Sequence, residues 1–177
     1  MRRIRLIVSY DGTNYCGWQI QENAVTVEGT LTDALRKWLK EDIEIIGASR
    51  TDSGVHAYGN IAVFDTNSRI PSEKFAIGLN HYLPDDIRVQ KSDEVESDYH
   101  PRYRNTEKMY EYTILNTKIN LPIYSRYSYH VYHPLDFEVM KEAAALLVGE
   151  HDFKSFCSIR TQVEDTVRRI YSITIKK

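Results

Sequence analysis

The chain has 177 residues, enough for one medium domain or two small ones. Apolar residues make up 42% and charged residues 27%, an ordinary globular mixture, and no uncharged apolar run is long enough to span a bilayer. A net charge of −2 gives no general attraction for polyanions, and two distant cysteines, Cys16 and Cys157, form neither a CxxC pair nor a disulfide framework.

Residues 3–10 read as a strand, because Ile4, Leu6 and Val8 alternate with Arg3, Arg5 and Ile7. Ser9, Tyr10 and Asp11 cut the apolar run short, so no targeting segment and a cytoplasmic protein are expected. YDGTNYCGWQIQ (10–21) is a glycine-punctuated loop with stacking and hydrogen-bonding side chains in Tyr15, Trp18 and Gln19. TVEGTLTDALRKWLK (26–40) is helical, with Val27, Leu31, Leu35 and Leu39 recurring every four residues. Two strand-like runs follow, IEIIGA (43–48) and GVHAYGNIAVF (54–64), parted by a polar turn holding Arg50 and Asp52. A second helix is expected over 71–83, N-capped by Ser72, and DDIRVQKS (85–92) resumes a strand. The order βαββαβ is that of the split βαβ, or ferredoxin-like, unit.

A boundary is expected at the acidic run DEVES, dividing the chain into subdomains 1–97 and 98–177. In the second, 108–116 and 124–133 read as strands. PLDFEVMKEAAALLVGEH (134–151) reads as a helix with Asp136 as N-cap, Phe137, Met140, Ala144 and Leu147 facing inward, and Gly149 as the stop. Residues 164–177 begin a further strand pattern. The expected class is α+β: two ferredoxin-like halves around a shared antiparallel sheet, the second incomplete at its C-terminus.

Asp52 is the carboxylate best placed for chemistry. Arg50 beside it favours its ionised form, and an ionised carboxylate serves as nucleophile or proton acceptor. Paired-carboxylate chemistry would need a second acid; Asp11, Asp85 and Asp86 are the candidates. A Ser53–His56 hydrolase pair is conceivable, without a G-x-S-x-G turn around the serine. His130 and His133 point to opposite faces of a strand, and no metal site is expected. Between Tyr99 and His133 lie five Lys/Arg (Arg102, Arg104, Lys108, Lys118 and Arg126), two acids and eight of the thirteen tyrosines. Cations interleaved with rings suit a polyanion with stackable bases, although on composition alone a Tyr-rich sheet surface is the better explanation.

Five motifs in order, YDGTNYCGWQIQ, SRTDSGVHA, GLNHYLPDDI, YHPRYRNTEKMYEY and GEHDFKSF, together resemble the tRNA pseudouridine synthase A family over nearly the whole chain. Ser49 and Ser53 stand where that family has glycine and alanine, and His100-Pro101-Arg102-Tyr103 stands for H-A-R-F. The resemblance implies isomerisation of uridine to pseudouridine at positions 38, 39 and 40 of the tRNA anticodon stem-loop, without metal or organic cofactor. It implies that Asp52 is the catalytic nucleophile, that Arg50 helps hold the flipped nucleotide, and that Tyr110 of K-x-Y-x-Y contacts the uracil. Attack on C1′ and removal of a ribose proton to give a glycal both remain open. A homodimer is implied, with tRNA as partner and no membrane. Family members continue into a helix whose Arg pairs with the catalytic Asp, so a C-terminally shortened chain is expected, with a higher Asp52 pKa than in the complete enzyme. The competing readings are a non-catalytic RRM-like RNA-binding module and a small-molecule hydrolase using Asp52 and His56.

Overall fold

The computed structural model describes residues 1–103, 107–157 and 165–177. Two compact units divide at Met109: Met1–Met109 and Tyr110–Lys177.

In the first unit, β1 (Arg2–Tyr10) realises the predicted alternation, with Ile4, Leu6, Val8 and Tyr10 buried on one face. It is followed by α1 (Val27–Leu39), β2 (Ile45–Gly47), β3 (Ala57–Thr66), α2 (Lys74–Leu79) and β4 (Ile87–Val95). The strands form one antiparallel sheet in the order β2-β3-β1-β4. Thr26 caps α1 by accepting from Gly29 N–H, and Lys40 ends it in the left-handed conformation at φ 58°. Leu31 and Leu35 of α1, and Phe75 and Leu79 of α2, join Ile4, Leu6, Val8, Phe64 and Ile87 in a single core. Trp38 stacks on Tyr82 and meets Phe75 edge-on, tying the two helical segments together.

The opposite face of the sheet is differently made. Arg3 forks onto Asp65 across β1–β3, and Arg5 forks onto Asp93 across β1–β4. Hydrogen bonding to Arg3 and Arg5 holds both carboxyls below the usual range. The Tyr99 ring lies 5.7 Å from the Arg5 guanidinium, and its carbonyl accepts from Arg3. Asp93 and Glu94, read from sequence as the start of a boundary, are thus inside β4.

The second helix is shorter than the 71–83 predicted, and its cap differs. Glu73 occupies the N-cap with no side-chain bond, and Ser72 contributes only its carbonyl, to Phe75 N–H at 3.4 Å. The amides that a capping Ser72 would serve go to backbone carbonyls instead, Lys74 N–H to Pro71 and Phe75 N–H to Ser72, and the next one, Ala76 N–H, donates to buried Ser92 Oγ of β4 at 2.8 Å.

In the second unit, the strands read over 108–116 and 124–133 contract to β5 (Ile114–Asn116) and β6 (Tyr129–Val131), which pair in parallel. Tyrosine-rich alternation makes a residue fit for a strand, but a ladder also needs a partner. Asp136 caps α3 (Phe137–Leu147) by accepting from Glu138 and Val139 N–H, and Phe137, Met140, Ala144 and Leu147 are its half-buried positions. Gly149, at φ +117°, opens a strand that the sequence reading took for a helix end: β7 (Gly149–Asp152) pairs antiparallel with β8 (Val167–Ile170). The predicted strand over 164–177 is confined to β8 among the described residues; residue 164 lies outside them. No helix among the described residues is long and apolar enough to cross a membrane.

Candidate active site

The Asp52 turn begins where the β2–β3 ladder ends. The last backbone bond is Ala48 N–H to Ile61 C=O, 2.8 Å. At the next step, the Asn60 side chain takes over from backbone. Its Oδ1 accepts from Ser49 N–H at 3.2 Å, and its Nδ2 donates to Ser49 C=O at 3.0 Å. Two residues on, Thr51 Oγ1 is hydrogen-bonded to Tyr10 OH at 2.8 Å, and Thr51 C=O accepts from Trp18 N–H at 3.0 Å. Exposure follows the same alternation: Ser49 and Thr51 are half-buried, whereas Arg50 and Asp52 are exposed. An Arg and an Asp two apart therefore share the outward side of a turn in which Ser49 and Thr51 are fastened inward. Among the described residues, no ion pair or hydrogen bond joins the two side chains.

The turn is seated on the glycine-punctuated loop that follows β1. Gly54 N–H and Ser53 Oγ both donate to Tyr15 C=O, at 3.2 and 3.3 Å. A Cβ on Gly17, at φ +86°, would stand 2.6 Å from Thr51 O, and one on Gly12 would stand 2.1 Å from Val55 O. The loop can reach the turn this closely only because those side chains are missing. Trp18 and Gly47 interlock in the same way, an added Cβ falling 2.3 Å from Trp18 Nε1. Asp86 braces the loop from β4's side, accepting from Tyr15 OH at 2.6 Å through its carboxylate and from Asp11 N–H through its carbonyl. Burial, then Asp86, pushes the Tyr15 phenol well above its ordinary pKa, so it stays a donor.

These bonds account for the other candidates. Asp11 accepts from Thr13 N–H and Oγ1, and Asp85 pairs with Arg88, so neither is a second acid free to face Asp52. His56 Nδ1 lies 3.1 Å from both Gly12 N and Asp11 Oδ1, so the imidazole is held by the loop after β1. Ser53 and His56 thus brace the turn. Arg102 lies at its approach, donating from Nε to Gly47 C=O at 2.8 Å. Arg104 lies outside the described residues. Tyr110 opens the second unit and is 70% exposed, so its ring is available to a ligand. His130 Nε2 contacts Thr117 C=O, and among the described residues no three His, Cys, Asp or Glu side chains group as a metal site requires. Sequence reading passed over Asn60 and Tyr10. The available signal was a lone amide inside the apolar run of β3, a residue that must find partners if buried.

Comparison with known proteins gives the family to which the chain is similar. The family model described as tRNA pseudouridine synthase matches residues 6–104 and 143–177, which include the loop, the turn and Asn60. The chain is 47% identical over all 177 residues to tRNA pseudouridine synthase A of Thermoanaerobacter sp. (strain X514), covering 72% of that protein. It is 45% identical to the protein of the same name from Acetivibrio thermocellus and 48% to that from Clostridium botulinum, in each case over the full chain and 72% of the relative.

Proposed function

The chain belongs to the tRNA pseudouridine synthase family, and from that premise we propose that Asp52 is its catalytic nucleophile, working on an extruded uridine. The enzyme isomerises uridine to pseudouridine in tRNA. The reaction breaks the bond between C1′ and N1, turns the uracil, and joins C1′ to C5; N1 gains a proton and C5 gives up its hydrogen. Nothing is hydrolysed, so one carboxylate suffices to stabilise C1′ between the two bonds. The observation that carries the assignment is the turn itself: Asp52 is exposed while both flanks are fastened, which presents a carboxylate to a substrate without letting the backbone drift.

The target base must leave its stack, at a cost of a few kcal/mol. Arg50, on the same outward side as Asp52, suits a role in holding the flipped nucleotide, and the exposed Tyr110 ring suits contact with the uracil. We assign the uridines at positions 38, 39 and 40 of the anticodon stem-loop as targets, tRNA as partner, a homodimer as the working form and a cytoplasmic location. The β2-β3-β1-β4 order of the first unit supports reading it as the ferredoxin-like half that carries the catalytic Asp, with the second unit as its counterpart.

The RRM-like alternative needs rings on the open face of the sheet to stack bases. There, β1 presents Arg3 and Arg5, both already paired to carboxylates. The deciding experiment is tritium release from tRNA carrying 5-tritiated uridine. Isomerisation exchanges the C5 hydrogen, whereas binding or hydrolysis elsewhere leaves it in place. Binding without release would overturn the catalytic reading.

A further inference from the structure

We propose that Asn60 and Tyr10 are positioning residues for catalysis: a two-point clamp, from neighbouring strands, that fixes where Arg50 and Asp52 point. The inference rests on Asp52 being the catalytic group. It goes beyond that reading by assigning function to two residues that do not touch substrate.

The clamp has two halves. Asn60 is 7% exposed, and its amide holds both the N–H and the C=O of Ser49. This reciprocal pair takes the place of the backbone bonds that the β2–β3 ladder would make at its next step, so the chain can leave the sheet without stranding a buried peptide group. Tyr10 is 5% exposed, and its hydroxyl holds Thr51 at 2.8 Å. The two halves touch, Asn60 Nδ2 lying 3.5 Å from Tyr10 OH. They are brought together by an irregularity in the β1–β3 ladder, which passes from Val8 opposite Asn60 to Tyr10 opposite Ala57. The extra β3 residue aims both side chains at the turn, the use to which bulges beside active sites are put. The fastened residues, 49 and 51, alternate with the exposed ones, 50 and 52. Fixing the first pair sets the direction of the second.

Packing alone would be served equally well by apolar bulk at these two buried places. The polar atoms are what the clamp requires, and they can be removed with little change of shape. Tyr10→Phe deletes one hydroxyl from a ring that stays packed on Trp18. Asn60→Leu deletes both bonds to Ser49, and Thr51→Val removes the partner of Tyr10.

The test measures kcat and KM by tritium release from full-length tRNA, together with amide hydrogen exchange of the free chain. Misplacing a reacting group by about an ångström costs on the order of 100-fold, so kcat is expected to fall about 10-fold in Tyr10→Phe and about 100-fold in Asn60→Leu, with KM within about twofold. Tyr10→Phe combined with Thr51→Val is expected to be no slower than the slower single variant, because both delete one bond. The Ser49 amide is expected to exchange faster in Asn60→Leu, while the amides of Leu6 and Phe64 keep their protection. Unchanged kcat in Tyr10→Phe overturns the proposal. So does a change confined to KM, a double variant whose losses multiply, or a kcat loss accompanied by lost protection throughout β1 and β3. If Asn60→Leu does not fold, Tyr10→Phe and the double variant decide alone. Failure of the underlying reading looks different: the wild-type chain would release tritium and Asp52→Ala would release it as well.

Discussion

Replacing Asp52 by alanine is expected to lower kcat by roughly 1,000-fold or more, the scale seen when a nucleophile is deleted from a preorganised site. Its tRNA affinity should stay within about threefold, because phosphate contacts from Lys and Arg supply most of the binding free energy. Tritium release and a filter-binding titration on one preparation check both statements, and turnover retained by the variant would remove Asp52 from its role. A pair of glycines offers a second test at this scale. Gly54, at φ +79°, has nothing within 4 Å of an added Cβ, so Gly54→Ala should cost about 1–2 kcal/mol of stability, the price of a left-handed alanine. Gly17 has the same sign of φ and in addition the Thr51 carbonyl in its way, so Gly17→Ala should cost about 2–4 kcal/mol and lower kcat as well. Urea unfolding of the two variants side by side ranks them, and equal losses would contradict the close seating of the loop on the turn. Of these features, the polar turn that carries Arg50 and Asp52 is legible in the sequence because a charged, glycine-containing stretch between two apolar strands marks a connection. Asn60 leaves only the trace of a lone amide in an apolar run and Tyr10 none, since their joint task depends on a ladder irregularity and on an alignment between β1 and β3 that no local pattern encodes.

At the scale of elements, the periods of the amphipathic pieces are read correctly where one face is buried, although the bounds and cap of α2 are not. α1 and β1 show the predicted periods because Leu31, Leu35, Ile4, Leu6 and Val8 all enter one core. The reading weakens where burial is slight: residues 108–113 alternate like a strand yet join no ladder among the described residues. The open face of the first sheet carries its own prediction. Asp65 and Asp93 have their pKa values lowered in the folded state by Arg3 and Arg5. A group with a depressed folded pKa stabilises the fold above its unfolded pKa, and that contribution is lost as pH falls through the folded value. The melting temperature should therefore decline from the ordinary carboxylate range, near about pH 4, downward. Arg5→Met should flatten that decline over the same interval while lowering the plateau at neutral pH. The effect should be modest, because the two carboxylates are 38% and 31% exposed and water screens them. A melting profile of Arg5→Met with the wild-type slope would show that the pair contributes nothing.

For the whole molecule, charge and core are distributed unequally. Net charge is −2, yet the segment from Tyr99 to His133 carries an excess of cations, and Lys108 and Lys118 are exposed within it. Affinity for tRNA should fall linearly on a log–log plot against salt, and Lys118→Met should make the slope shallower by about one if that ammonium meets a phosphate. The same titration on single-stranded and folded tRNA controls would reveal whether the contact depends on tRNA shape. The core lies elsewhere. Among the described residues, every buried hydrophobic one falls between Ile4 and Val89, and none of Tyr110–Lys177 is buried. Side chains as large as Leu146, at 78% exposure, and Phe156, at 75%, contribute little area there. Burial at about 25 cal/mol per Å² is the main term that opposes chain entropy, so a unit that buries little cannot fold cooperatively by its own contacts. Residues 1–109 expressed alone are thus expected to show a sharp thermal transition, with Asn60 and Tyr10 still fastening the turn. Residues 110–177 alone are expected to show none, with broad dispersionless spectra and binding of an apolar dye. A cooperative transition in 110–177 would mean that α3 and the β7–β8 pair find a core among themselves, and would overturn the view that the first unit supplies the stability on which the catalytic turn depends.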